Sequence, residues 1–217
     1  MRWMWFCSLI GAAACFAAWQ DTYCGFEADK DSAAPAGFSV AETAGQSKPV
    51  TWAVRTAAGA SCGNNYLCML NNNNSGATYN MLLLDKSVPA DATASVRLRA
   101  SSGDEDRGGG LVWRVVDSSN YYIARWNPLE KNLRAYKVVE GKRSAAFGSA
   151  KIEADPAVWH AFKVRMEGTK ATVFFDGAVV LEFSDDALKA GGKTGLWTKA
   201  DACTDFDDLE IMAREGQ

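Results

Sequence analysis

The chain has 217 residues, of which 48% are hydrophobic and 11% aromatic, with 8 Trp and a formal net charge of −3. That length suits one all-β domain and is short for two, and the composition allows a sizeable core. A slightly acidic chain without blocks of like charge lacks the electrostatic footprint of a nucleic-acid binder or of a protein held on an anionic membrane surface.

The first segment reads as a leader. Met1 and Arg2 make a minimal positive start, Trp3 to Ala18 is nearly all apolar, and Ala12, Ala13, Ala14, Ala17 and Ala18 offer small residues for cleavage. The stretch is too short to span a membrane, so it predicts a secretory signal over residues 1–18 and a single domain over 19–217. The protein is then expected to be exported (periplasmic, extracellular or on the outer envelope), with no membrane span. Ala12-Ala13-Ala14-Cys15 also resembles a lipoprotein cleavage box lacking its usual Leu, which would make Cys15 a lipid anchor.

Beyond the leader, helical periodicity is scarce. Short runs rich in β-branched and aromatic residues recur between Gly, Asn, Asp and Ser clusters. They predict strands at Tyr23–Glu27, Gly37–Ala41, Val50–Val54, Tyr66–Leu70, Asn80–Leu84, Ala94–Ala100 and Leu111–Val116. The series continues with Tyr121–Trp126, Leu133–Val139, His160–Met166, Thr172–Phe175, Val179–Phe183, Thr194–Thr198 and Phe206–Met212. Asp176-Gly177, set between two apolar runs, is the sharpest hairpin signal, because both residues tolerate positive φ. Many strands at hairpin spacing without intervening helices predict an all-β, antiparallel, two-sheet sandwich.

Outside the leader the cysteines are Cys24, Cys62, Cys68 and Cys203. An even number in an exported chain favours disulfides over metal thiolates. Cys62 and Cys68 flank a short polar segment that a local bridge could close. Cys24 and Cys203 remain, near the two ends of the domain, where a long bridge would join neighbouring terminal strands.

The run Gly109-Gly110-Leu111-Val112-Trp113-Arg114-Val115-Val116-Asp117 continues through Asn120-Tyr121-Tyr122, Arg125, Asn127, Leu129-Glu130, Asn132, Arg134, Tyr136-Lys137 and Gly141-Lys142-Arg143. It resumes at Trp159-His160, Asp176-Gly177, Gly195-Leu196-Trp197-Thr198-Lys199-Ala200-Asp201 and Phe206-Asp207-Asp208. Together these resemble the concanavalin A-like, laminin-G-like jelly rolls, and most of all the 3-keto-disaccharide hydrolase group, loosely described as family 16 glycosidase-like. The resemblance implies a jelly roll over roughly residues 24–213. If the activity follows, it implies cleavage of a glycosidic bond in an oxidised sugar. The chain departs from that group in lacking its opening Leu-Phe-Asn-Gly-Lys phrase. It also lacks the Glu-x-Asp-x-x-Glu strand that supplies the paired carboxylates of family 16 hydrolysis. The acidic triplet Asp104-Glu105-Asp106 belongs to a loop.

Strand alternation then assigns candidate residues to faces. With Trp113 in the core, Arg114 points outward. Arg125 shares a face with Tyr121, and Arg134 shares one with Tyr136. Guanidinium forks and aromatic faces suit sugar hydroxyls and ring C–H groups. The expected ligand set is therefore Arg114, Tyr121, Arg125, Arg134, Tyr136 and Lys199, with Glu130 as the candidate catalytic acid or base. Trp197 is expected in the core with Thr198 outward. Glu27, Asp29, Asp207 and Asp208 are expected to meet where the end strands pair and could hold a structural Ca²⁺. His160 is read as a hydrogen-bonded strand residue, with Trp159 in the core. Three functions follow: glycan binding without catalysis, cleavage of 3-keto-glycosides, or an adhesion module of the envelope.

Overall fold

The computed structural model describes residues 19–45 and 50–214. The expected leader and Cys15 lie outside the described residues. Among the described residues sixteen strands run in chain order: β1 (Trp19–Cys24), β2 (Phe38–Thr43), β3 (Thr51–Thr56), β4 (Asn65–Asn71), β5 (Tyr79–Leu84), β6 (Ala92–Ser102), β7 (Gly109–Asp117) and β8 (Asn120–Asn127), followed by β9 (Asn132–Val139), β10 (Lys142–Arg143), β11 (Gly148–Lys151), β12 (His160–Glu167), β13 (Lys170–Phe175), β14 (Ala178–Ser184), β15 (Lys193–Lys199) and β16 (Cys203–Arg214). They form two antiparallel sheets. The first has the order β14-β13-β12-β6-β16-β4-β3, with β1 also on β16. The second has the order β10-β9-β8-β7-β15-β5-β2, with β11 also on β9. The terminal strands pair, as expected. The predicted hairpin also forms, with Asp176 and Gly177 at φ 48° and 82° between β13 and β14.

The first sheet shows why its sequence alternates. On β6, Ala92, Ala94, Val96, Leu98 and Ala100 are buried, while the residues between them face outward. Those apolar side chains meet Leu82, Leu84, Leu111, Trp113, Tyr122, Ala124 and Trp126 of the second sheet in the inter-sheet core.

The second sheet does not alternate. Every residue of β5 is buried, as is every residue from Tyr121 to Asn127 on β8. The reason is a second apolar cluster on its far face, made of Tyr79, Met81, Leu83, Val112, Val115, Tyr121, Ile123, Val138 and Trp197. The sheet is coiled tightly enough to enclose that cluster. Thr43 on the edge strand β2 donates to the Ser118 carbonyl at 2.5 Å and meets the Tyr121 hydroxyl at 2.6 Å. Two glycines on this face permit the close approach. A Cβ at Gly110 would stand 2.0 Å from the Ala124 carbonyl oxygen, and one at Gly195 would stand 2.1 Å from that of Leu82.

Several expectations are corrected here. The predicted strand Tyr23–Glu27 is displaced: β1 ends at Cys24, and Glu27 lies in a turn. Trp197 is buried as expected, though in the second cluster on the far face, whereas Thr198 points into the inter-sheet interior and not outward. Trp159 points outward, its ring under the Arg99 guanidinium at 4.7 Å, whereas His160 is buried between Trp126 and Phe175. His160 is hydrogen-bonded as expected, to the Asp176 carboxylate and the Asp155 carbonyl, each at 2.8 Å.

Neither expected disulfide is formed. Cys62 is an exposed thiol, Cys68 a buried one and Cys203 a half-buried one, all free. Cys24 pairs with Leu209 across β1 and β16. Six residues of strand, roughly 20 Å, separate that position from Cys203, whereas a bridge needs Cα atoms within about 7 Å.

Candidate functional site

The face of the second sheet that carries the second cluster also carries most of the predicted ligand residues. One row of registered pairs crosses it from Trp197 (β15) through Gly110 (β7), Arg125 (β8) and Arg134 (β9) to Ser149 (β11). The next row holds Asn127 opposite Asn132. The middle of the face is sealed by its own side chains, and the polar groups gather at the end formed by the β8–β9 turn.

Arg125 is the base of that cluster and is only 4% exposed. Its Nη1 donates to Asn132 Oδ1 at 2.6 Å and its Nη2 to Glu130 Oε2 at 2.7 Å, with the Tyr136 hydroxyl at 3.4 Å from Nη2. A buried guanidinium is tolerated because it has an ion-pair partner and further acceptors. Asn132 Nδ2 donates to the same Glu130 Oε2 at 3.0 Å, and Arg134 Nη1 stands 3.6 Å from it. Burial pushes the Glu130 carboxyl up, but hydrogen bonds from Asn132 and Arg125 and the charges of Arg125 and Arg134 outweigh it, holding the group below the ordinary glutamate range. Arg134 Nε donates to Ser149 Oγ at 3.1 Å. Arg143, from β10, lies over the Tyr136 ring at 4.5 Å and the Tyr79 ring at 5.4 Å.

A second polar string continues from Asn127. Its Oδ1 accepts from the Glu130 amide at 3.1 Å, and its Nδ2 donates to Asp106 Oδ1 at 2.7 Å. Lys199 Nζ meets Asp106 Oδ2 at 2.8 Å. The loop carrying Asp106 is fixed by Asp201, whose carboxylate accepts the amides of Asp104, Glu105 and Asp106 at 2.7 to 3.2 Å. Burial works against ionisation of Asp201, but these backbone donors keep its carboxyl below the usual range.

Tyr121, Arg125, Arg134, Tyr136 and Lys199 thus stand on one face, and Glu130 sits beside Arg125 and Arg134. Tyr121 contributes no surface, being fully buried in the second cluster. Arg114 does not join them. It sits at φ 49° in a β-bulge of β7, which turns its side chain towards the end of the sandwich. There its guanidinium donates to the carbonyls of Ala90, Leu188 and Gly168 at 2.5 to 3.3 Å. Its role is to tie three loops together.

The four carboxylates proposed for Ca²⁺ are not gathered into a ligand set. Glu27 Oε1 accepts the amides of Asn64 and Asn65, Asp29 Oδ1 accepts that of Ala36, and Asp207 accepts those of Ser61, Cys62 and Asp208. Among the described residues no group of three or more His, Cys, Asp or Glu side chains is placed to hold a metal ion.

Sequence reasoning passed over Asp106, Asn127, Asn132 and Arg143 as site residues. Asn127 and Asn132, one residue outside each end of the β8–β9 turn segment 128–131, carried the signal, since short Asn side chains bond neighbouring backbone.

No family model matches the chain, and no curated protein matches its sequence. Solved structures do match. The carbohydrate-binding module CBM66 from Bacillus subtilis superposes with a TM-score of 0.62 at 19% identity, over 80% of this chain and 94% of that one. The cellulose-induced protein Cip1 gives 0.66 at 10% identity, over 88% and 96%. The metal-free carbohydrate recognition domain of Emp46p gives 0.53 at 12%, over 81% and 87%. These likenesses agree with the strand order and with the two packed sheets: the chain folds as an antiparallel jelly-roll β-sandwich.

Proposed function

We propose that this protein is an exported, non-catalytic carbohydrate-binding jelly roll, and that the saccharide seats on the rim made by Glu130, Asn132, Arg134, Tyr136 and Arg143. The observation that carries this reading is the asymmetric use of Glu130. Arg125, Asn132 and Arg134 all address Oε2. Oε1 is left as a half-exposed, ionised acceptor with no hydrogen bond from a described residue, held in a fixed position. An acceptor fixed beside guanidinium donors matches the vicinal hydroxyls of a sugar. The names of two fold neighbours, a carbohydrate-binding module and a carbohydrate recognition domain, support the same reading.

Binding is favoured over turnover by the state of the carboxylates. Hydrolysis by paired carboxylates needs one of them kept protonated. Glu130 is instead held ionised, and Asp106 is engaged by Lys199 and Asn127. A carboxylate clamped by guanidiniums is also a poor base for elimination from a 3-keto sugar. A glycan array followed by calorimetry on the protein tests this. We expect saturable binding that weakens about tenfold or more in Glu130→Gln, since a charged hydrogen bond contributes about 1.5 to 3 kcal/mol. Release of free sugar from a 3-keto-glucoside by the wild type would overturn the non-catalytic reading.

A further inference from the structure

The rim carries more positive charge than it neutralises, in a chain whose formal net charge is −3. Arg125 and Arg134 stand directly opposite each other on β8 and β9. Like charges in that position destabilise a sheet. One carboxylate, Glu130, serves both. Lys131 and Lys151, beside the same turn, likewise share one carboxylate, Glu153, at 3.6 and 3.2 Å. Arg143 has no ion-pair partner among the described residues. It is held by two tyrosine faces, which attract a cation without cancelling its charge. Lys199 differs in having a carboxylate to itself, Asp106.

From this we infer that the saccharide taken by the rim is anionic, its carboxylate or sulfate seated between Arg134 and Arg143. The inference rests on the carbohydrate reading above and narrows its ligand class. Arg134 keeps 39% of its side chain exposed and uses only its Nε and one distant Nη1 contact, so part of its fork is available to a second anion. Tyr136, itself buried beneath Arg143, would fix that guanidinium beside the bound charge.

Calorimetry would compare an oligogalacturonate with its fully methyl-esterified form, and a sulfated dextran oligomer with plain dextran, at low and high salt. The esterified and plain forms keep the sugar backbone and remove the charge. We expect a charged member to bind about tenfold tighter than its neutral control at low salt, with the difference shrinking at high salt. The pair showing the larger difference identifies carboxylate or sulfate. Arg134→Gln and Arg143→Gln should each reduce the preference and together abolish it, with melting temperatures near wild type. Arg165→Gln, on the outer face of the first sheet, should leave the preference intact. Equal affinity for charged and neutral members overturns this inference and leaves the carbohydrate reading standing, as does an equal loss in Arg165→Gln. Failure of the wild type to bind any saccharide overturns the carbohydrate reading itself.

Discussion

The hydroxyls of Thr43 and Tyr121 lie 2.6 Å apart, although β2 stands four strands from β8 in the same sheet. A flat sheet would hold these strands roughly 19 Å apart at the usual interstrand spacing. The contact therefore measures how far the second sheet has coiled. It also explains why burial pushes the Tyr121 hydroxyl well above the usual tyrosine range despite its bond to Thr43.

Removing either hydroxyl should destabilise the protein unequally. Tyr121→Phe leaves Thr43 its bond to the Ser118 carbonyl and should cost about 1 kcal/mol. Thr43→Val deprives both the Tyr121 hydroxyl and that carbonyl of a partner and should cost about 2 to 3 kcal/mol. Urea unfolding of the two variants reads the difference, and equal losses would mean that the contact does not hold the coil.

Arg114→Met should lower stability by about 3 kcal/mol or more, because three loop carbonyls lose their donor at once. Saccharide affinity of the folded variant should equal that of the wild type, since Arg114 lies off the rim. A denaturation curve together with a binding isotherm separates this from the behaviour of Arg134→Gln, which should show the opposite pattern.

The folding stability should depend on Asp207. Burial raises its carboxyl to about 6, against the amides of Cys62, Asp208 and Ser61, which favour the anion. A folded value above the unfolded one means that the stabilisation is complete below about pH 4 and is lost as pH rises towards 6. The expected loss is on the order of 2 kcal/mol. Asp207→Asn keeps an acceptor for those amides and should flatten the fall, as urea midpoints from pH 4 to pH 7 would show. Below pH 4 the sign reverses. Burial of Asp185 is outweighed by its bonds from Lys137 and Tyr122, so its carboxyl is depressed and its contribution fades with acid.

The thiols should differ sharply in reactivity. Cys62 is exposed and should react with an aromatic disulfide reagent in the native protein. Cys68 is buried, and its thiol is pushed up by burial and by the nearby Asp205 charge. It should react only after unfolding. Mass mapping of labelled peptides before and after denaturant checks this, and native labelling of Cys68 would contradict the packing of β4 against β16.

The jelly roll and the shared face of Arg125, Tyr121, Arg134 and Tyr136 were legible in the sequence because period-two alternation survives in β8 and β9. Arg114 was not, because a bulge resets the period and nothing in Trp-Arg-Val-Val announces one. The orientation of Trp197 was hidden for a different reason. Leu196 faces one apolar cluster and Trp197 the other, and the threonines on the Leu196 side, Thr194 and Thr198, are buried, so their polarity marks the wrong face as the outer one. His160 and Trp159 exchanged their expected places because a histidine with two oxygen partners can be buried, while a tryptophan can be held at the surface by Arg99. The asparagines of the rim carried only a local signal, and their convergence on Arg125 depends on a register that local sequence does not specify.

The coiling of the second sheet has a consequence for its dynamics. A strand such as β5, dry on both faces, has no side from which water can reach its amides while the fold is intact. Its amide hydrogens should exchange only through opening of the whole molecule, whereas those of the first sheet's edge strand β14, half open to solvent, should exchange by local fraying. β8, which carries Arg125, is buried from Tyr121 to Asn127 in the same way, so the base of the Arg125–Glu130 cluster rests on a slow-exchanging strand while its β10 and β11 edge stays open to solvent.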